Sequence, residues 1–150
     1  MKRGGPCGLN LFLLSLSTSA FAGSDAWLIM PEEAAMAPAS EERLLQSRGL
    51  SEKGPTIDVV KPAEGGEVPS PLEILIRFAA RTEAVDVSSL KVSLLKVIPI
   101  DITDRVRPYA TAKGIDVKEA KIPAGKHRVR ISVGDTTGGI STREVLFEVR

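Results

Sequence analysis

The chain has very little cysteine and histidine: Cys7 and His127 are the only ones among 150 residues. Cys7 precedes an apolar run that reads as a cleaved leader, so the processed chain is expected to carry no cysteine. That excludes a disulfide framework, a thiolate nucleophile and a Cys-ligated metal centre. An exported chain of this kind must then rely on its apolar core for stability. Aromatic residues are scarce at 4%, too few for a sugar-stacking surface or an aromatic cage. There is no charge excess either. Removing Lys2 and Arg3 from the 20 basic side chains leaves 18 against 19 acidic ones, a net charge near −1. A general nucleic-acid binder would need a strong basic surplus. Beyond the leader no apolar run approaches the ~20 residues that a membrane helix requires.

What is present begins with an address. Lys2 and Arg3 precede a short apolar run from Leu9 to Leu16, and Ala20-Phe21-Ala22 supplies small residues at the two positions a signal peptidase inspects. A signal peptide over residues 1–22, cut after Ala22, is expected, with a secreted or periplasmic destination. Cys7 lies before the apolar run, where a lipoprotein cysteine would not sit, and is expected to be discarded. The remaining 128 or so residues suffice for one domain and a tail.

Residues 23–55 are rich in Ala, Glu, Pro and Ser and form a partly helical or flexible extension. Ser40 is placed to cap a short helix through "SEERLLQSRG", with Glu41 and Glu42 in its first turn and Gly49 stopping it. Pro31 and Pro38 prevent one long helix. The apolar cluster Trp27-Leu28-Ile29-Met30 either docks onto the domain, frays, or offers a hook to a partner.

From Thr56 the apolar period becomes two. "TIDVVKP" predicts a first strand ended by Pro62 and the turn-forming "EGGEVPSP". In "LEILIRF" the residues Leu72, Ile74, Ile76 and Phe78 share one face, with Leu75 an apolar exception on the other. "SLKVSLLKVIPIDITDRV" reads as one strand and a second after a break at Pro99. "GIDVKEAKIP" is a weaker strand. In the closing hairpin Val129, Ile131 and Val133 face Val145, Phe147 and Val149. All are odd-numbered, so directly opposed residues must have numbers with an even sum. Every such register puts Arg128 and Arg130 beside Glu144 and Glu148, and a one-residue slip would bury the charges. Roughly seven strands over residues 56–150, with turn signals between them, predict an all-β antiparallel sandwich, with a small barrel as competitor.

The segment "IPAGKHRVRISVGDTTGGISTREVLFEV" resembles the last two strands of bacterial immunoglobulin-like domains. Ala124-Gly125, His127, Val129, Ile131, Asp135, Gly138, Phe147 and Val149 occupy the matching places. "VKPAEGGEVPSPLEILIRF" is similar to their first hairpin, and "VDVSSLKV" to the opening of their third strand. The resemblance covers residues 55–150 and none of the extension. It implies an Ig-like β-sandwich of the disulfide-free kind, serving as a binding, structural or accessory module. It also puts His127 at a strand start. Parity agrees, placing His127 on the face of Val129 at the end of the sheet, where a half-buried histidine is expected to bond to a turn backbone group.

Site chemistry is thin. One histidine and no processed cysteine argue against zinc or iron. "DITD" and "GDTTGG" offer oxygens, yet neither forms an alternating-acid calcium loop, and turn chemistry accounts for both. A serine nucleophile would need His127 as its base, and no GxSxG elbow occurs. The expectation is therefore a non-enzymatic protein with no catalytic residue, cofactor or metal site. Its partner would be another envelope or extracellular protein, met through a strand edge or the loops from Pro99 to Gly114, where Tyr109 lies. Secreted copper carriers also use a small Ig-like sandwich. The alternative is accordingly a periplasmic small-ligand or copper carrier drawing on Met30, Met36 and His127. Binding residues, oligomeric state and biological process are left open.

Overall fold

The computed structural model describes Gly4 and residues 27–46 and 52–150. Apart from Gly4, the expected leader lies outside the described residues, together with Cys7 and the cut after Ala22. From Thr56 the period-two segments become strands of two sheets. The first contains β1 (Thr56–Lys61), β3 (Leu72–Ala79), β7 (Gly114–Ala120) and β6 (Ala110–Thr111), in the order β1-β3-β7-β6. The second contains β2 (Glu67–Val68), β9 (Ile140–Val149), β8 (Gly125–Asp135), β4 (Val85–Leu94) and β5 (Ile100–Asp101), in the order β2-β9-β8-β4-β5. The sheets do not close into a barrel. Their facing surfaces supply one core, an all-β sandwich.

The hairpin of β8 and β9 follows the parity argument. Arg130 lies opposite Glu144, Val129 opposite Val145 and His127 opposite Phe147, each pair of numbers summing to 274. Ile131, Val133, Val145, Phe147 and Val149 are buried, while Arg128 and Arg130 sit on the outer face beside Glu144. In β3, Leu72, Ile76 and Phe78 are buried and Arg77 is exposed. Opposite Arg77 stands Gly114, at φ +143°, where a Cβ would collide with the carbonyl oxygen of Ile76. Only glycine fits that close approach.

Two departures from the sequence reading have local causes. Among the described residues nine strands occur where about seven are expected, because β2, β5 and β6 are two-residue pieces too short to show a period. The second sheet is also mixed: β2 runs parallel to the end of β9. The segment between β1 and β3 carries three prolines, Pro62, Pro69 and Pro71, which cannot donate to a ladder on β1. It crosses instead to the other sheet, where the Gly65 amide bonds to the Leu146 carbonyl at 2.7 Å.

The strand expected after Pro99 is the second departure. Only Ile100 and Asp101 pair with β4, and the chain then turns into a short helix, Thr103–Val106, and a 3-10 turn, Arg107–Tyr109. The Asp101 carboxylate accepts the Thr103 amide at 2.8 Å and also its hydroxyl, which closes the first turn. Ile102 and Val106, four residues apart, are both buried. The Val92 amide donates to Thr103 Oγ1 at 2.9 Å, a side chain standing where a ladder carbonyl would otherwise be. The residues from Pro99 to Gly114 thus form a packed crossover between the sheets.

The extension is folded against the sandwich. Trp27 bridges to Lys121 in parallel, and the Leu28 amide bonds to the Lys121 carbonyl at 3.0 Å. Leu28 and Ile29 enter the core, Ile29 at 1% exposure, whereas Trp27 and Met30 stay outside. The helices α1 (Pro31–Ala34) and α2 (Glu41–Gln46) follow, separated by Pro38. The Glu33 carboxylate of α1 forms a two-pronged pair with the Arg105 guanidinium, at 2.6 and 2.7 Å. A cavity of about 40 Å³ remains between the sheets, lined wholly by apolar side chains including Leu28 and Ile29, with no polar group to hold a water.

Because Ile29 closes a core that already contains a void, its truncation enlarges the void. Ile29→Ala should lower unfolding stability by about 2–5 kcal/mol, measured by urea denaturation. Met30→Ala should stay within about 0.5 kcal/mol of the parent. Equal effects of the two changes would mean that the extension does not share the core.

Candidate binding cleft

The outer face of the five-stranded sheet is formed by the even-numbered residues of β8 and β9. Lys126, Arg128 and Arg130 stand on β8, with Glu144, Leu146 and Glu148 across from them. Glu144 takes Arg130 at 2.7 Å and Arg128 at 3.7 Å. Leu146 is an apolar interruption in this charged face and is partly exposed.

Above this face the extension makes a wall. Past Leu94 the ladder continues for one step, the Leu95 amide bonding to the Arg128 carbonyl at 2.8 Å. The next residues turn to the extension: Lys96 bridges to Pro38, and the Val97 amide bonds to the Ala37 carbonyl at 2.9 Å. Leu95 and Leu44 are buried there but are not part of the core between the sheets. Between wall and sheet lies a cleft of about 550 Å³. Its apolar lining comes from Met36, Pro38, Leu95 and Leu146, and its charged groups are Lys96, Lys126, Arg128 and Glu41.

Lys96 is the least expected of these groups. It is 5% exposed, and its Nζ donates to the Ala34 carbonyl at 3.0 Å. Among the described residues no carboxylate lies within ion-pair distance of it. Burial holds its pKa below the usual lysine value.

His127 lies on the opposite face of β8, inside the core. It is fully buried, more so than a strand-end position suggests, and packs on Phe147 with ring centroids 5.7 Å apart. Nε2 lies 2.7 Å from the Pro123 carbonyl, which can only accept, so Nε2 carries the proton. Nδ1 is buried without a hydrogen-bond partner. Burial is the main cause that lowers the His127 pKa. The Pro123 bond opposes it, and the nearby Lys96 charge adds to the lowering.

The other residues singled out from sequence are dispersed. Met30 and Met36 are exposed on the extension, and Tyr109 is exposed at the end of the crossover. Asp135 spends one oxygen on the amides of Thr137 and Gly139, both at 2.9 Å, and those turn bonds hold its carboxyl below the usual range, the Thr137 hydroxyl foremost. Asp101 is occupied with Thr103 in the same way. No cluster of three or more His, Cys, Asp or Glu side chains suited to a metal occurs among the described residues. Sequence reasoning missed the cleft and Lys96. The available signal was Leu95 and Leu146, apolar residues out of phase with their strands.

No protein-family model matches the chain, and no curated protein matches it. Similar solved structures include an endo-β-1,4-mannanase from Thermotoga petrophila, at 16% identity and TM-score 0.46, over 73% of this chain. This chain spans only 23% of the mannanase. CopC from Methylosinus trichosporium OB3b matches at 18% identity and TM-score 0.42, over 63% of this chain and 93% of CopC. PcoC, a methionine-rich copper resistance protein from Escherichia coli, matches at 19% identity and TM-score 0.43, over 65% of this chain and 99% of PcoC. At these values no site residue is carried across.

The histidine gives a signed pH dependence. Its folded pKa is lowered from 6.5, so the neutral ring contributes stability above the unfolded value. That contribution is lost as pH falls through about 6.5 towards the folded value. Urea midpoints should therefore drop between about pH 7 and pH 5.5, before the carboxylates titrate. His127→Gln should abolish the slope in that window, whatever it does to stability at pH 7. An unchanged slope in the variant would assign the effect to another group.

Proposed function

We propose that this chain is an exported, non-enzymatic binding module, built as an immunoglobulin-like sandwich, that receives its ligand in the cleft between the extension and the outer face of β8 and β9. The observation that carries the reading is the cleft itself: an apolar trough of about 550 Å³ with three cationic side chains and one acidic one around it. That volume is in the range of ligand sites, which combine an apolar lining with a few placed polar groups. The sequence of the first 22 residues supports export. The cleft brings no nucleophile–base pair together, since the single histidine is buried on the other face of β8 with Nε2 committed to Pro123.

Hydrogen exchange tests this reading. Addition of a bacterial envelope fraction should slow exchange at residues 34–39, 95–97 and 126–128, with little change in β1 and β3. Protection confined to other surfaces, or none, would refute it.

A copper-carrier function is the second reading, favoured by the exposed thioethers of Met30 and Met36 on the extension. Titration with Cu(I) against a competing chelator decides it. One tight equivalent that is lost in the Met30→Leu/Met36→Leu double variant would replace the cleft reading with the carrier reading. Absence of a tight equivalent removes it.

A further inference from the structure

Lys96 has a buried ammonium with three donors, one neutral acceptor and no counter-charge among the described residues. Such an arrangement costs stability. Transfer of a charge from water is compensated only by a partner of opposite sign or by neutralisation. A methionine or leucine would fill the same space without that cost, so the charge has to be accounted for by something other than packing. Lys126 stands nearby on the same cleft and has no ion pair among the described residues. Arg128 shares Glu144 with Arg130. Glu41 is the one carboxylate in the lining and makes no ion pair with Lys96, so the base of the cleft is left with an uncompensated positive charge among the described residues.

The rest of the lining restricts what carries that charge. The apolar groups are Met36, Pro38, Leu44, Leu95 and Leu146 with two alanines, and no aromatic ring is among them. A sugar or a nucleobase would find neither a stacking platform nor an array of acceptors. Flexible aliphatic walls and methionine suit a flexible aliphatic chain. Resting on the cleft reading above, we infer that the ligand is a single-chain aliphatic carboxylate, its head group paired with Lys96 at the base and its chain lying along Leu95, Leu146 and Met36.

Calorimetric titration of the purified chain with monomeric decanoate and with decanol, which has the same chain without the charge, tests this. Decanoate should bind saturably with decanol at least about tenfold weaker, and Lys96→Met should weaken decanoate by about tenfold or more while leaving decanol unchanged. The same variant should unfold at higher urea than the parent, which separates loss of the counter-charge from loss of the fold. Lys126→Gln should weaken decanoate by a smaller factor and raise its salt tolerance. Equal binding of decanoate and decanol, or full retention by Lys96→Met, overturns the assignment of Lys96. No decanoate binding up to about 1 mM, with cleft amides still protected by the envelope fraction, overturns the carboxylate and leaves the cleft reading standing. Failure of both removes both.

Discussion

The entry of Leu28 and Ile29 between the two sheets is the contact on which the other features depend. These two side chains close the core at one end, and their burial fixes where the chain leaves it. From that point α1 is directed across the crossover, and Glu33 meets Arg105. The Arg105 guanidinium, the dominant influence on Glu33, holds that carboxyl below its usual range, with the Met30 amide as a further donor. The extension then reaches Lys96 and Val97 in position to bridge them. Without this anchoring there would be a sheet face with charges on it and no cleft.

The polar economy of the molecule is uneven. Several exposed charges among the described residues are locally compensated: Glu73 lies between Lys61 and Lys118, Arg150 pairs with Glu67, and Asp135 is consumed by its own turn. Two buried groups, His127 on β8 and Lys96 just past β4, are not. His127 retains an unsatisfied Nδ1, and Lys96 retains an unbalanced ammonium. The two act on each other, since the Lys96 charge further disfavours protonation of His127. The histidine is explained by its carbonyl bond and its contact with Phe147, which orient the ring in the core. Lys96 also has a carbonyl bond, to Ala34 at the end of α1, but its charge has no partner of opposite sign among the described residues.

Strand segments with a clean alternation were legible in the sequence because side-chain direction in a strand alternates whatever the partner is. The hairpin of β8 and β9 was legible down to the parity of its register, since any odd sum would have buried Arg128 and Arg130, while the sum itself came from the structure. The crossover was not. "PIDITDRV" contains enough β-branched residues to pass for a strand, whereas in the fold the Asp101 carboxylate accepts the Thr103 amide to start a helix while Thr103 Oγ1 accepts the Val92 amide from a strand distant in sequence. The parallel pairing of β2 was equally hidden, because two residues carry no period.

What the sequence by itself determined is an all-β fold: two-residue periodicity forces one face of each strand inward, and no helical period of useful length after Pro55 is there to cover that face. The choice of sandwich over barrel was left to the structure. The sequence also determined that cysteine chemistry has no place in the expected processed chain. Tertiary structure alone decided the fate of the extension and of Lys96. Whether Leu28 is buried, and whether a lysine at the end of β4 faces water or a wall, depends on which distant segment arrives there. That is set by the fit of Ile29 to a gap between sheets and of Pro38 to Lys96, contacts between residues far apart in the chain that no local pattern encodes.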